Sequence, residues 1–245
     1  MRSVIVIPAR YQSTRFPGKP LVNIANKPLI RWVYDNAKQI PGVRQIIVAT
    51  DDPRIADAVT KFSGNVVITP KDISNGSERV GFVARDLDAD IIVNLQGDEP
   101  LISADDVAKA IRAITANPRL KVVTLGASLQ NEAEWRNPAI VKVVVDAQMN
   151  AIYFSRAPIP HFRNSNFRAI PRLFGHIGVY VYRRTFLLDY LDWPETVLEK
   201  YEKLEQLRIL DRGYKIKVVV AGSFSPGVDR PEDIPIIEKL LKKKG

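Results

Sequence analysis

Four short apolar runs, at 4–7, 46–49, 66–69 and 91–95, each lead through a loop into a longer segment of helical period, near 28–40, 53–62, 78–88 and 104–116. A run that is apolar on both faces belongs to a strand covered on both sides. Strand–helix–strand succession with right-handed crossovers then builds a mostly parallel sheet between helical layers. This repetition commits the chain to an α/β fold. After Lys121 the alternation stops: 121–125, 140–146 and 151–155 read as strands with little helix between them, so this portion is expected to be antiparallel or mixed. The stretch 157–171, with Pro158, Pro160, Pro171, Asn164 and Asn166, reads as a loop or projecting arm. A strand at 176–182, a helix near 202–210, a strand at 216–220 and a last helix from Pro231 complete the reading. The expectation is a single domain over 1–245 with a mixed-sheet portion around 121–183.

In an open α/β sheet, ligands gather beyond the carboxyl ends of the strands, where loop amides and helix N-termini converge. Those ends carry Pro8, Ala9 and Arg10 after the first run, Thr50 and Asp51 after the second, and Thr69 and Pro70 after the third. Gln96, Gly97, Asp98, Glu99 and Pro100 follow the fourth. The loop from 9 to 20 is the strongest signal. It places Arg10, Arg15 and Lys19 beside the hydroxyls of Ser13 and Thr14, with Gly18 to let backbone approach a ligand, a composition suited to a polyphosphate. It is not a Walker loop, since the first glycine is missing and Pro20 follows the lysine.

Charge placement points the same way. The net charge is +9, and neither 1–34 nor 147–188 contains an Asp or Glu. The first of these stretches holds Arg2, Arg10, Arg15, Lys19, Lys27 and Arg31; the second holds Arg156, Arg163, Arg168, Arg172, Arg183 and Arg184 with His161 and His176. Such runs suit a pocket that receives negative charge, while Lys239, Lys242, Lys243 and Lys244 read as a solvated helix end. The chain has no cysteine, which excludes a disulfide scaffold, a cysteine nucleophile and a thiolate zinc site and fits a reducing compartment. No apolar run approaches the roughly 18 residues a membrane span requires, and the first residues read as a strand rather than a signal peptide.

Asp98, at the end of a strand with buried alternate residues, should face the basic loop, where a hard oxygen ligand can share Mg²⁺ with substrate phosphates. Ser103 is the better cap for the following helix, and Asp51 and Asp52 read as caps of theirs. Asp229, three residues before Glu232, fits a capping box as well as a second metal carboxylate. Period two puts His176, Gly178, Tyr180 and Tyr182 on one polar and aromatic strand face. In the helix near 202–210, Leu204, Leu207 and Leu210 form the buried stripe and Glu205 and Gln206 face elsewhere. Asn75, Gly76, Ser77, Glu78 and Arg79 mark a loop-to-helix junction that serves equally as a plain turn and cap.

Taken in order, several motifs closely resemble the CMP-KDO synthetases, the 3-deoxy-manno-octulosonate cytidylyltransferase family. They are Pro8-Ala9-Arg10 through Ser13-Thr14-Arg15-Phe16-Pro17-Gly18-Lys19-Pro20-Leu21, Ile47-Val48-Ala49-Thr50-Asp51, Asn94-Leu95-Gln96-Gly97-Asp98-Glu99-Pro100, Tyr153-Phe154-Ser155-Arg156, His176-Ile177-Gly178-Val179-Tyr180, Leu204-Glu205-Gln206-Leu207-Arg208 and Gly227-Val228-Asp229. The resemblance implies a Rossmann-like nucleotidyltransferase fold with a mostly parallel mixed sheet and a small dimerisation arm. It also implies conversion of CTP and KDO to CMP-KDO and pyrophosphate with Mg²⁺, a cytoplasmic location on the path to lipopolysaccharide, and a homodimer whose arm exposes Phe162 and Phe167. By family position Pro8, Ala9, Arg10 and Lys19 hold the nucleotide and its triphosphate, Asn75, Gly76 and Arg79 lie near the cytosine, and Asp98 and Asp229 carry the metal. Gln96, His176, Tyr180, Glu205 and Gln206 hold the sugar acid, and Lys19, Asp98 and Asp229 are the catalytic set.

In-line attack on the α-phosphorus needs no covalent enzyme intermediate, so a side-chain base is optional and charge screening is the main requirement. Two other classes compete with this reading. A nucleic-acid-binding protein would suit the pI near 9.7, but no nucleic-acid motif is present. A non-catalytic protein on a transferase fold would need broken metal positions, and Asp98 and Asp229 are intact.

Overall fold

The structure is a computed structural model that describes residues 1–12, 16–73, 75–163, 167–224 and 226–242. Ser13, Thr14 and Arg15 of the basic loop, Asn164 and Asn166 of the arm, and Lys243 and Lys244 of the tail lie outside the described residues. The chain forms two compact units, Met1–Ala108 with Ser225–Gly245, and Lys109–Phe224.

In the first unit β1 (Ser3–Ala9) is followed by a small hairpin, β2 (Asn23–Ile24) and β3 (Lys27–Pro28), then by α1 (Leu29–Ala37), β4 (Val43–Thr50), α2 (Pro53–Lys61), β5 (Asn65–Ile68), α3 (Gly76–Ala84), β6 (Ile91–Asn94) and the first residues of α4 (Ala104–Ala116), whose remainder from Lys109 belongs to the second unit. The strand order β6-β1-β4-β5 is parallel throughout. All seven residues of β1 are buried, as a central strand covered on both faces requires. Helix starts follow local chemistry. Asp52 caps α2 by accepting from Arg54 N at 2.9 Å, Asn75 caps α3 through Glu78 N at 2.9 Å, and Ser103 Oγ accepts from Asp106 N ahead of α4 at 3.2 Å. The β2–β3 hairpin has no counterpart in the sequence reading, because its strands are two residues each. Its turn uses Ala25 and Asn26 at φ 45° and 66°, a left-handed pair that a glycine-based search overlooks.

The second unit contains β7 (Val122–Ser128), α5 (Glu132–Arg136), β8 (Lys142–Val145), β9 (Ala151–Ser155), β10 (Leu173–Arg183), α6 (Arg184–Leu191), α7 (Val197–Glu202), α8 (Leu207–Asp211) and β11 (Ile216–Val220). β10 pairs antiparallel with β7 and β8, β8 with β9, and β11 lies parallel to β7, so this part is mixed as expected. The chain then returns to the first unit with α9 (Ile234–Leu241), whose Glu238 accepts from Ala25 N in the hairpin turn at 3.0 Å. Among the described residues no helix is long and apolar enough to cross a membrane.

Two expectations are corrected here. Phe162 and Phe167 are not exposed: they are half-buried in their own unit, with ring centroids 5.3 and 5.8 Å from that of Trp135, because the indole gives the arm an apolar surface to fold onto. The helix near 202–210 is in fact two. Lys203 takes the left-handed conformation at φ 54°, which ends α7, and α8 begins only at Leu207. Glu205 and Gln206 therefore occupy the break rather than an outer helix face, and Gln206 is buried, whereas Leu210 is only half-buried.

The break is clamped by a buried bidentate ion pair, Arg208 Nε to Glu199 Oε2 at 2.8 Å and Nη2 to Oε1 at 2.6 Å, with Arg208 also donating to the Trp193 carbonyl. Removing one charge strands the other inside the protein, so Glu199→Gln is expected to lower stability by about 3 kcal/mol. Urea denaturation with an unchanged m-value checks this; a loss below about 1 kcal/mol would show that solvent reaches Arg208.

Candidate active site

The site in the first unit begins where β1 ends. The chain leaves the strand at Ala9, and Gly18 N donates back to the Tyr11 carbonyl at 2.8 Å, closing a loop that delivers Lys19 into a short 3-10 turn, Lys19–Leu21. Gly18 sits at φ 73°, and the Tyr11 ring lies 3.3 Å from where its Cβ would be. Left-handed backbone and this ring contact favour the glycine. The Arg54 guanidinium lies over the other part of this arrangement, 3.3 Å from the Tyr11 ring centroid.

Beside β1, the end of β6 approaches so closely that a Cβ on Gly97 would stand 2.8 Å from the Pro8 carbonyl oxygen. That approach brings Asp98 under the loop, where its Oδ2 accepts from Lys19 Nζ at 2.6 Å. A third segment joins through backbone: Val228 N donates to the Asp98 carbonyl at 2.9 Å, and Asp229 Oδ1 comes to 3.5 Å from the same Lys19 Nζ. Asp233 Oδ2, not Asp229, accepts from the backbone N–H groups of Asp229 and Arg230, both at 2.8 Å. Asp229 thus turns its carboxylate toward Lys19.

Glu99, to which the sequence reading gave no role, completes this acidic group. Burial first, then the charges of Asp98 and Asp229, push its carboxyl up to about 8, and its Oε2 is buried with no hydrogen-bond partner. Its position beside Asp98 at a strand end was the available signal. Among the described residues no cluster of three or more Asp, Glu, His or Cys side chains is disposed as a complete metal cage. Asp98 and Asp229, converging on one ammonium, instead suit Mg²⁺, which binds through one or two carboxylates and takes its remaining oxygens from phosphate and water.

Pro8, Ala9, Arg10, Gln12, Lys19, Gly76, Gln96 and Asp98 line one cavity of about 330 Å³. Gln96 is oriented by a relay, its Nε2 donating to Asn94 Oδ1 and Asn94 Nδ2 to Ser77 Oγ, each at 3.1 Å. Asn75 caps α3 at the rim, and Gly76 leaves the space a side chain would take against Pro8 and Gln96. Arg79 lies fully buried and outside the cavity lining, paired with Asp51 at 3.5 Å. The reading of Asp51 as a cap is thereby corrected: Asp52 alone caps α2, because Asp51 turns inward to a buried cation. Of the cations in the acid-free first stretch, Arg10 and Lys19 reach the cavity, while Arg2 pairs with Asp88 and Asp90, and Lys27 and Arg31 with Asp35.

The remaining sugar-acid candidates belong to the second unit. The rings of His176 and Tyr180 are 5.3 Å apart, and Tyr180 and Tyr182 stack at 5.6 Å, so the expected shared face exists despite a register shift between Ile177 and Tyr180. Tyr180 and Tyr182 are nonetheless buried, and burial first, then Tyr182, Glu205 and Tyr190, raises the Tyr180 pKa. Tyr190 Oη donates to the Glu205 carbonyl at 3.3 Å, and buried Gln206 leaves Nε2 without a partner. Thr124 directs its hydroxyl hydrogen to the Val179 carbonyl at 2.7 Å and so accepts from His176 Nε2 at 2.9 Å, which assigns the proton of the neutral imidazole to that nitrogen.

The model of a family described as cytidylyltransferase matches residues 4–216. A 3-deoxy-manno-octulosonate cytidylyltransferase of Syntrophotalea carbinolica is 46% identical over 248 residues, which cover 99% of this chain and 99% of the relative. A protein of the same description from Escherichia coli is 42% identical over 243 residues, covering 99% of this chain and 97% of its own. A solved structure of a CMP:2-keto-3-deoxy-manno-octonic acid synthetase complexed with CTP matches with a TM-score of 0.94 at 42% identity, covering 100% of each chain.

Burial holds the His176 imidazole down at about 3, against an unfolded value near 6.5. Between these values the unfolded chain binds the additional proton, so this residue's contribution to stability is complete above the upper value and is lost as pH falls through the window. From pH 7.5 to 5.0 that loss amounts to about 2 kcal/mol. Urea titrations at the two pH values should show a smaller drop for His176→Gln than for the unmodified protein. Equal drops would mean that the imidazole is solvated.

Proposed function

Because the chain belongs to the 3-deoxy-manno-octulosonate cytidylyltransferase family, we propose that it transfers the cytidylyl group of CTP to KDO, giving CMP-KDO and pyrophosphate for lipopolysaccharide assembly. The observation that carries this reading is the meeting of Lys19 with Asp98 and Asp229 beyond the strand ends, where Lys19 and Asp98 line a cavity. The anomeric hydroxyl oxygen of KDO attacks the α-phosphorus, a new P–O bond forms as the bond to the bridging oxygen of pyrophosphate breaks, and the hydroxyl proton is released. Arg10 and Lys19 face the triphosphate and stabilise the charge that moves onto the leaving group. Asp98 and Asp229 would hold Mg²⁺, whose charge screens the phosphate and lowers the pKa of the attacking hydroxyl.

Pro8, Ala9, Asn75 and Gly76 form the nucleotide wall in this reading, with Arg79 behind it. Gln96, His176, Tyr180, Glu205 and Gln206 bind the sugar acid as neutral or acidic hydrogen-bonding groups, His176 acting without charge. The reading includes a homodimer through the arm after Arg156. The absence of cysteine suits the reducing cytoplasm, where CTP is made.

The direct test is pyrophosphate release from CTP and Mg²⁺ with a panel of sugar acids: release with KDO supports the reading, and release only with a sugar 1-phosphate overturns it. Asp98→Asn and Asp229→Asn should each lower kcat at least about a hundredfold with the fold intact by circular dichroism. Lys19→Ala should cost about 3 kcal/mol of transition-state stabilisation, visible as reduced kcat. A raised KM for CTP at unchanged kcat would instead assign Lys19 to ground-state binding.

A further inference from the structure

The Arg79 guanidinium is wholly buried, yet it makes poor use of its donors. Nη1 donates to Thr69 Oγ1 and reaches the Pro70 carbonyl at 3.5 Å, and Nη2 stands 3.5 Å from Asp51 Oδ2. Nε and Nη2 have no hydrogen bond, nor does Asp51 Oδ1 on the facing carboxylate, although all three atoms are out of solvent. Burial pulls the Arg79 pKa down, Asp51 opposes that pull and nearby Arg10 adds to it. A buried ion pair with unmet donors is usually no more stable than an apolar replacement, so packing alone does not account for these residue types.

Their positions supply a reason. Asp51 follows β4, Thr69 and Pro70 follow β5, and Arg79 lies in the first turn of α3, its own N–H donating to the Asn75 carbonyl at 3.2 Å. One guanidinium therefore ties two strand ends to the helix start that carries Gly76. Gly76 is the residue of that turn that lines the cavity, and a Cβ there would come within 3.5 Å of Pro8. Since Gly76 has no side chain to adjust, the shape of this wall is set by where the backbone of the turn stands.

We infer that Asp51 is a positioning residue for nucleotide binding: through Arg79 it fixes the first turn of α3, and so holds the Gly76 wall at the distance from Pro8 that admits the nucleotide. The inference rests on the reading that CTP occupies this cavity. It predicts a loss in nucleotide binding without a loss in chemistry, because Asp51 and Arg79 lie outside the cavity lining that carries Lys19 and Asp98.

Titration calorimetry of CTP with Mg²⁺, together with steady-state kinetics, tests this. Asp51→Asn should weaken CTP binding at least about tenfold and raise KM for CTP in step, with kcat within about twofold and KM for the sugar acid unchanged. The double variant Asp51→Asn with Arg79→Met removes both charges from the interior. It should regain thermal stability over Asp51→Asn alone while CTP binding stays weak. If CTP affinity is unchanged in Asp51→Asn, or returns together with stability in the double variant, the pair is only structural and the inference fails. CTP titration reads the pair independently of the acceptor: no turnover with any sugar acid but normal CTP binding by the unmodified protein would sink the proposed reaction and leave this test valid. No CTP binding by the unmodified protein would overturn both.

Discussion

Three carboxyl groups, on Asp98, Glu99 and Asp229, gather at the end of one parallel strand, and the ammonium of Lys19 meets those of Asp98 and Asp229. Burial first, and then the charges of Asp98 and Asp229, raise the Glu99 pKa, so Glu99 is held neutral while the carboxylates of Asp98 and Asp229 share the Lys19 ammonium. Each approach that builds the cluster depends on backbone rather than on side-chain reach. Gly97 has no Cβ where β6 meets the Pro8 carbonyl, Gly18 takes the left-handed turn that presents Lys19, and Val228 N bonds the Asp98 carbonyl to bring in Asp229. A site built this way has its charges placed by backbone contacts, and preorganised charge is what a displacement at phosphorus demands.

Much of this was legible in the sequence. Apolar runs of both-face character located every parallel strand of the first unit, and Ser103, Asp52 and Asn75 cap the helices they precede. Asp98 was placed toward the basic loop by strand periodicity, and it pairs with Lys19 there.

What was not legible depended on partners far along the chain or on rare backbone states. Asp51 and Asp52 look alike before a helix, but only contact with Arg79, a strand and a helix further along the chain, turns the first inward. Asp229 and Glu232 copy a capping box, yet Asp233 takes that role because the helix opens with a 3-10 turn at Pro231. The break at Lys203 uses a left-handed lysine, which no propensity argument selects, and it converts Gln206 from a surface residue into a buried one with an orphan amide. Phe162 and Phe167 find their apolar surface on Trp135, whose distance in sequence hid it.

The central claim is that this site joins a nucleoside monophosphate to an oxygen belonging to the acceptor itself. Isotopic tracing tests it most directly. With CTP, Mg²⁺ and KDO labelled with ¹⁸O at its anomeric carbon, the account predicts a product with one phosphorus whose ³¹P resonance shows the isotope shift of a retained bridging label. A diphosphate linkage in the product, or loss of the label from the bridge, would contradict it.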